Sequence, residues 1–427
     1  MIATGFSRLL WLILLLVALV PLLWGGNRPA VWYGTALIAG LTGLLLALGA
    51  ARSGAPLRLG ATRMAGLLLL LLLTPALYAA LALTGQLWPA PLWPNGTDEP
   101  LIALVRLTGP VLIGLITFHL LTVRNGRRRF GLLLLGAVLM HAAYGLLILR
   151  SPDLALWPNP FYADSLTGGF VNRNAAAAFL GVGACLALAA ALTVPDRSGS
   201  RVDRAQRRLL YGVAALVLLT ALLLTRSRMG VAATGAGLLL IALLHLIGTP
   251  RGRRGHGRGA AWSVLLAVPA GGALFVLLAI DRVEPLIRNA RERLALYQEV
   301  WGLVRSAPWL GSGPGNFELA FRAHSGRLTD PGLRWEDAHN GLLERWAELG
   351  LLMGSVPAIA LLALWSRLLR LSLGPGDRFL PLAASGATLL FLLHGLVDFP
   401  LEMQGNLLLF CVLVAAALSG ARRSGGA

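Results

Sequence analysis

The chain has 427 residues, 56% of them hydrophobic and only 13% charged, with a mean hydropathy of +0.72. Soluble domains carry roughly 25% charged residues, so the composition excludes an ordinary soluble enzyme and points to a polytopic membrane protein. The net charge of +18 comes entirely from arginine, and most of those arginines sit in short loops between apolar runs. That is how topology signals and contacts to anionic membrane lipids are distributed. With no aromatic-interleaved basic patch, it argues against nucleic-acid binding.

In chain order, apolar runs of about 20 residues, enough to cross a bilayer, fall near 9–24, 30–51, 64–84, 101–122, 130–149, 174–194, 209–225, 229–248, 261–281, 340–366, 379–396 and 402–420. Twelve spans are therefore expected, the first and seventh being short. Arg8 with the apolar run to Leu23 resembles a signal peptide, but no small-x-small site follows, so it reads as an uncleaved first span. Alternate loops are rich in arginine, among them Arg124–Arg129, Arg197–Arg208, Arg251–Arg258 and Arg367–Arg378. By the positive-inside rule these loops and both termini are cytoplasmic. The loops 85–100, 151–173, the turn near Arg226 and the segment 282–338 then face outward. The expected organisation is transmembrane helices 1–9 over 1–281, an outer loop over 282–338, and helices 10–12 over 339–427. Cys185 and Cys411 lie far apart inside apolar runs and read as buried free thiols.

Arg226 and Arg228 occupy an outward turn, Thr225-Arg226-Ser227-Arg228-Met229-Gly230, where the charge rule makes arginine scarce. They either snorkel to lipid phosphate or hold a phosphorylated lipid substrate, since guanidinium binds phosphate bidentately. The segment 284–305 reads as an interfacial amphipathic helix, with Leu286, Ile287, Ala290, Leu294, Tyr297, Trp301 and Val304 on one face. On that wheel Arg288 points away from the stripe, Arg293 lies on its edge and Arg291 is intermediate. Gly311-Ser312-Gly313-Pro314-Gly315 lacks the lysine and preceding strand of a phosphate loop and reads as a turn that aims the chain. His339 is expected to begin a helix, where the positive end of the dipole favours the neutral imidazole that a general base requires. The plainer alternative is a polar helix-start residue satisfied by Asp337 or water. No tight ligand spacing supports a metal site.

Taken together these motifs resemble the O-antigen ligase and O-antigen polymerase superfamily. Arg226-Ser227-Arg228-Met229-Gly230 is similar to its SRxG turn. Arg293-Leu294-Ala295-Leu296-Tyr297, followed by Ala307-Pro308-Trp309 to Phe317, is similar to its arginine and glycine-turn signature, with Tyr297 where tryptophan is common. His339-Asn340-Gly341-Leu342-Leu343 with Glu348-Leu349-Gly350 is similar to its HNxxL…ExG element, and Gly169-Phe170-Val171-Asn172-Arg173-Asn174 resembles a further element. The resemblance covers roughly residues 165–355 and implies an all-α integral membrane glycosyltransferase of GT-C-like type in a bacterial inner membrane, its site on the periplasmic face. It implies a donor glycan on undecaprenyl diphosphate, with Arg228 and Arg293 on the diphosphate and Arg226 and Arg291 as neighbouring alternatives. His339 would act on the acceptor hydroxyl, with Asn340, Asp337, Asn172 and Asn174 in support. Neither metal nor nucleotide cofactor is implied.

Within that reading the acceptor decides between a ligase, acting on lipid A-core, and a polymerase, acting on another lipid-linked chain; protein is a third acceptor. A ligase that inverts the anomeric centre is the preferred expectation, because one dominant outer loop ends at His339. A lipid-linked-oligosaccharide flippase is the rival from another class. It would be expected to carry ionisable groups deep in its spans, and these spans are nearly free of charge. A non-catalytic scaffold does not account for the outward arginines.

Overall fold

Long runs of leucine and alanine leave the backbone no partner but itself in an apolar medium, so such segments fold as helices. In the computed structural model the described residues are 2–54, 98–123, 126–195, 200–249, 257–278, 283–324 and 334–420, with single positions at 57, 76, 326 and 329. All their regular structure is helical. The helices are α1 (Ile2–Leu19), α2 (Pro29–Ser53), α3 (Asp98–Val123), α4 (Arg127–Arg150), α5 (Arg173–Leu192), α6 (Arg201–Leu224), α7 (Arg228–Ile247), α8 (Gly257–Leu278), α9 (Val283–Ser306), α10 (Phe317–His324), α11 (Gly341–Leu373), α12 (Phe379–His394) and α13 (Gln404–Leu418).

Among the described residues seven helices are long and apolar enough to cross a membrane: α2, α3, α4, α5, α6, α7 and α11. Arg8–Leu22, α12 and α13 are shorter apolar helices. The protein is thus a multi-pass membrane protein. The span expected at 64–84 lies, but for position 76, outside the described residues, as does most of the loop 85–100.

Helix α5 is the centre of the bundle. Its run Ala175-Ala176-Ala177-Ala178 and residues Phe179, Val182 and Cys185 are almost wholly buried. Small residues let neighbouring backbones approach closely. A side chain at Gly181 would strike Thr234 of α7, and one at Gly237 would meet the Gly386 carbonyl of α12.

Polar connections gather at two ends. At one end Arg127 donates to the Ala416 and Ala417 carbonyls, 3.3 and 3.2 Å away, in the last turn of α13. Arg378 donates to Thr249 Oγ1 at 2.8 Å, and Arg128 pairs with Asp377 at 3.3 Å. Cations here meet the negative ends of helix dipoles. At the other end Leu166 N–H donates to Leu224 O (2.9 Å) and Gly341 N–H to Gly395 O (2.8 Å), drawing together the segments 151–172, 225–227, 339–340 and 395–403.

A second, smaller core sits at this end. Leu296, Val300, Leu303 and Val304 of α9 pack on Phe317 and Phe321 of α10, with Ala338 and Ala347. This corrects the expected stripe on α9. Of its outer members Val304 is buried, but Leu294 and Trp301 remain 57% and 40% exposed. The helix has two apolar sides because it meets protein with one and can face lipid with the other. The side chains of Leu286, Ile287, Arg288 and Ala290 lie outside the described residues.

Candidate active site

The glycine turn is docked on a break in α11. Gly350 interrupts that helix with φ 73° and ψ 169°, and Gly311 has φ 66°. A side chain at Gly311 would run into the Glu348 backbone, and one at Gly350 into the Trp309 carbonyl, so both positions need glycine. Ser312 N–H donates to Ala347 O (2.8 Å), Gly313 N–H to Glu348 O (2.8 Å) and Gly315 N–H to Glu348 Oε1 (2.9 Å). These amides are occupied, so the turn offers them to no phosphate and works as a clamp between α9 and α11.

That clamp fixes the first turn of α11. Asn340 is its N-cap: Oδ1 accepts from the Leu342 and Leu343 N–H groups, each at 3.1 Å. His339 therefore lies one residue before the cap rather than in the first turn, a correction to the expected placement. Its backbone is left-handed, φ 48°, an uncommon conformation outside glycine that tertiary contacts must hold. Tyr297 OH supplies one by donating to His339 O at 2.8 Å. Burial pushes the Tyr297 hydroxyl above its ordinary range, so it stays protonated and donates.

The group facing the imidazole is Asp398, from the short link between α12 and α13. Its Oδ1 is 3.4 Å from His339 Nδ1, and its side chain is 3% exposed against 31% for the histidine. Burial works to raise the Asp398 carboxyl. The His339 hydrogen bond and charge, the His394 charge and the Phe399 N–H outweigh it, and the group is held below the ordinary carboxylate range. An ionised Asp398 selects the tautomer with hydrogen on Nδ1 and leaves Nε2 as the acceptor nitrogen. The ring is flanked by Phe399 (centroids 5.4 Å apart) and Trp335 (6.0 Å, edge on). Arg293 lies beside the pair, its guanidinium donating to Val397 O at 2.6 Å.

Asp337, the carboxylate expected to satisfy His339, does not do so. Burial, then Glu344 and Glu402, push it up to about 8 against the opposing pull of His339 and Arg106, so its neutral form is favoured. Behind it lies a group of ion pairs around Arg345, which reaches Glu344 at 2.8 Å, Glu348 at 2.9 Å and Glu402 at 3.3 Å. Arg106, stacked over Trp32, meets the second oxygen of Glu402 at 3.0 Å and also donates to its backbone carbonyl.

The other expected residues form a separate group at the ends of α5 and α7. Asn172 caps α5, its Oδ1 accepting from Asn174 N–H at 2.7 Å, which gives both asparagines a role in the helix start. Ser227 caps α7 through Gly230 N–H (3.1 Å). A side chain at Gly230 would collide with Ala177, so the first turns of α5 and α7 are packed together. Arg226, with φ 56°, pairs with Asp164 at 3.4 Å. Arg228 and Arg291 are exposed and, among the described residues, have no side-chain partner.

The structure brings Arg293, Tyr297, His339 and Asn340 into one neighbourhood, together with Asp398, Glu402 and the junction at Arg345, which the sequence did not single out. The available signal was two carboxylates within five residues, Asp398 and Glu402, at the short break between the apolar runs 379–396 and 402–420.

A multi-pass helical protein with a histidine–carboxylate pair and arginines at one end of its bundle is the class that fold and site define. Residues 213–356 match the family model described as O-antigen ligase. This match supports the O-antigen ligase and polymerase superfamily, whose members are membrane glycosyltransferase-like enzymes. The match contains Arg226, Arg228, Arg293, the glycine turn and His339, and ends before Asp398. Comparison with curated proteins gives no match.

Proposed function

We infer that the protein is a membrane glycosyltransferase that moves a glycan from undecaprenyl diphosphate to an acceptor hydroxyl on the periplasmic face of a bacterial inner membrane. The preferred acceptor is the lipid A-core, which makes it an O-antigen ligase. The observation that carries the reading is the His339–Asp398 pair with Arg293 at its side.

His339 Nε2 takes the proton of the acceptor hydroxyl while that oxygen bonds to the anomeric carbon. The bond from that carbon to the diphosphate breaks, and its electron pair leaves with undecaprenyl diphosphate. Asp398 stabilises the imidazolium that forms. Diphosphate is a good leaving group, so no acid is needed to expel it. Arg228 and the free donors of Arg293 offset its growing charge by preorganised electrostatics, with Arg226 and Arg291 nearby. Attack opposite the diphosphate inverts the anomeric centre. In this reading the segment 282–338 is the periplasmic loop between transmembrane helices 1–9 and 10–12.

The test is incubation of purified protein with an undecaprenyl-diphosphate glycan and, in separate reactions, lipid A-core, a second lipid-linked glycan or an acceptor protein. Product on lipid A-core supports the ligase. Product only on the lipid-linked glycan makes it a polymerase, and product only on protein an oligosaccharyltransferase. Movement of the donor across vesicles without transfer would make it a flippase.

A further inference from the structure

The link that carries Asp398 is held at its far end. Glu402, four residues on, is gripped by two guanidinium groups from different helices, Arg345 of α11 at 3.3 Å and Arg106 of α3 at 3.0 Å. The same Arg345 holds Glu344, whose Oε2 accepts the Ala338 N–H (3.0 Å) immediately before His339. It also holds Glu348, which anchors Gly315 of the glycine turn. One side chain therefore ties the strained segment bearing the histidine to the link bearing the aspartate. A buried network of this kind costs desolvation that hydrophobic residues would avoid. Membrane-embedded charges are retained where they act.

We propose that Glu402 and Arg345 are positioning residues, which set the His339–Asp398 geometry by cross-tying the two segments that carry it. Neither touches the imidazole. Arg345 contacts Glu344, Glu348 and Glu402, and Glu402 contacts Arg345 and Arg106. Their effect passes through the backbone at Ala338 and through the turn 398–402. Arg293 at Val397 O (2.6 Å) and Asn406 at Pro400 O (2.9 Å) hold the backbone on either side, but among the described residues the Asp398 side chain has only His339 and the adjacent Phe399 N–H (3.0 Å) on Oδ1, and its Oδ2 is buried without a partner. The inference rests on the reading of His339 and Asp398 as the acceptor-activating pair.

The experiment is glycan transfer from an undecaprenyl-diphosphate donor by detergent-purified Glu402→Gln, Arg345→Lys, Asp398→Asn and the double variant Glu402→Gln/Asp398→Asn, with kcat, KM and rate–pH profiles. Gln keeps the shape of Glu402 but weakens both ion pairs; Lys keeps the charge of Arg345 but cannot span three carboxylates. Each single change is expected to lower kcat on the order of 10–10²-fold, as a misplacement near the chemistry does, with donor KM within a few-fold of wild type. Both should move the acid limb of the profile to lower pH, in the same direction as Asp398→Asn, because Asp398 no longer sits squarely against the imidazolium. The groups around that histidine are Arg293 and Tyr297 of α9, Asp337 before it, His394 at the end of α12 and Asp398 in the link beyond. All are intact in both variants, and Arg345→Lys also keeps every charge of the network, whereas Glu402 itself acts on Asp337, so the limb moved by Arg345→Lys is the one that reports geometry. Added to Asp398→Asn, Glu402→Gln should cost nothing further. Wild-type kcat in either single variant, an equal loss at every pH with an unmoved limb, or a full additional loss in the double variant would overturn the proposal. If one single variant fails to fold, the other decides the test. If His339→Ala and Asp398→Asn themselves retain turnover, it is the underlying reading that fails.

Discussion

The two groups of polar residues at the site end are built in opposite ways. Around His339 every segment is tied: Tyr297 holds its carbonyl, Asn340 caps the helix behind it, Asp398 faces its ring, and Arg345 binds the carboxylates beyond. At the ends of α5 and α7 the backbone is tied by Asn172 and Ser227 while the arginines stay open. Arg228 is exposed, and Arg226 has one long pair to Asp164, both side chains being more than half exposed. The first arrangement suits a reaction that needs a fixed angle between a base and a hydroxyl. The second suits a charged ligand that must enter from outside and can be met by side chains that adjust.

The largest effect is expected at the tied end. On the proposed reading, in which arginine holds the diphosphate, His339→Ala should lower turnover on the order of 10²–10⁴-fold, the usual cost of a lost base, and leave donor binding nearly intact. His339→Gln sharpens the contrast. A Gln variant within a few-fold of wild type would reduce His339 to a group that orients the acceptor by hydrogen bonding.

Asp398→Asn should cost somewhat less, still on the order of 10²-fold, because a base with the wrong tautomer remains a base some of the time. Binding isotherms with the lipid-linked donor should be unchanged, and a large loss of donor affinity would mean the aspartate serves the diphosphate side instead.

At the open end Arg228→Ala should abolish measurable donor binding, and Arg228→Lys should recover little, since a point charge does not replace a planar fork on a diphosphate. Arg293→Ala should also stop transfer. Arg226→Ala is the control: an exposed ion pair contributes about 0–1 kcal/mol, so activity should stay within a few-fold. Equal losses at Arg226 and Arg228 would erase the distinction between a paired and an open arginine.

The smallest effect concerns stability. Asp337 has a folded pKa of about 8, above the ordinary 3.8, so the fold favours its neutral form. That contribution is fully present below about 4 and is lost as pH rises through about 8. Asp337→Asn should therefore raise the melting temperature at pH 8.5 and change it little at pH 4. Destabilisation at pH 8.5 would show that Asp337 works there as an anion.

Composition and periodicity determined what a bilayer enforces on any chain. Leucine-rich segments became helices, arginine gathered between them, and Gly311 and Gly350 marked backbone that no other residue can follow. The motif around His339 was legible because its members are close in sequence and sit in a polar stretch. Local spacing could not say that the Leu294–Trp301 side of α9 would stay uncovered, since that depends on what packs against Leu296 and Val300. Nor could it say that the partner of His339 lies 59 residues onward at Asp398 rather than two residues back at Asp337. That choice was made by the link from α12 to α13, which folds beside the start of α11 and buries one carboxylate against the imidazole. Arg345 shows the same thing: its neighbours Glu344 and Glu348 are set by helix geometry, but Glu402 arrives only through the tertiary fold. Contacts set by helical periodicity are present in any stretch of helix, whereas a counter-charge brought from another helix exists only once the bundle has closed.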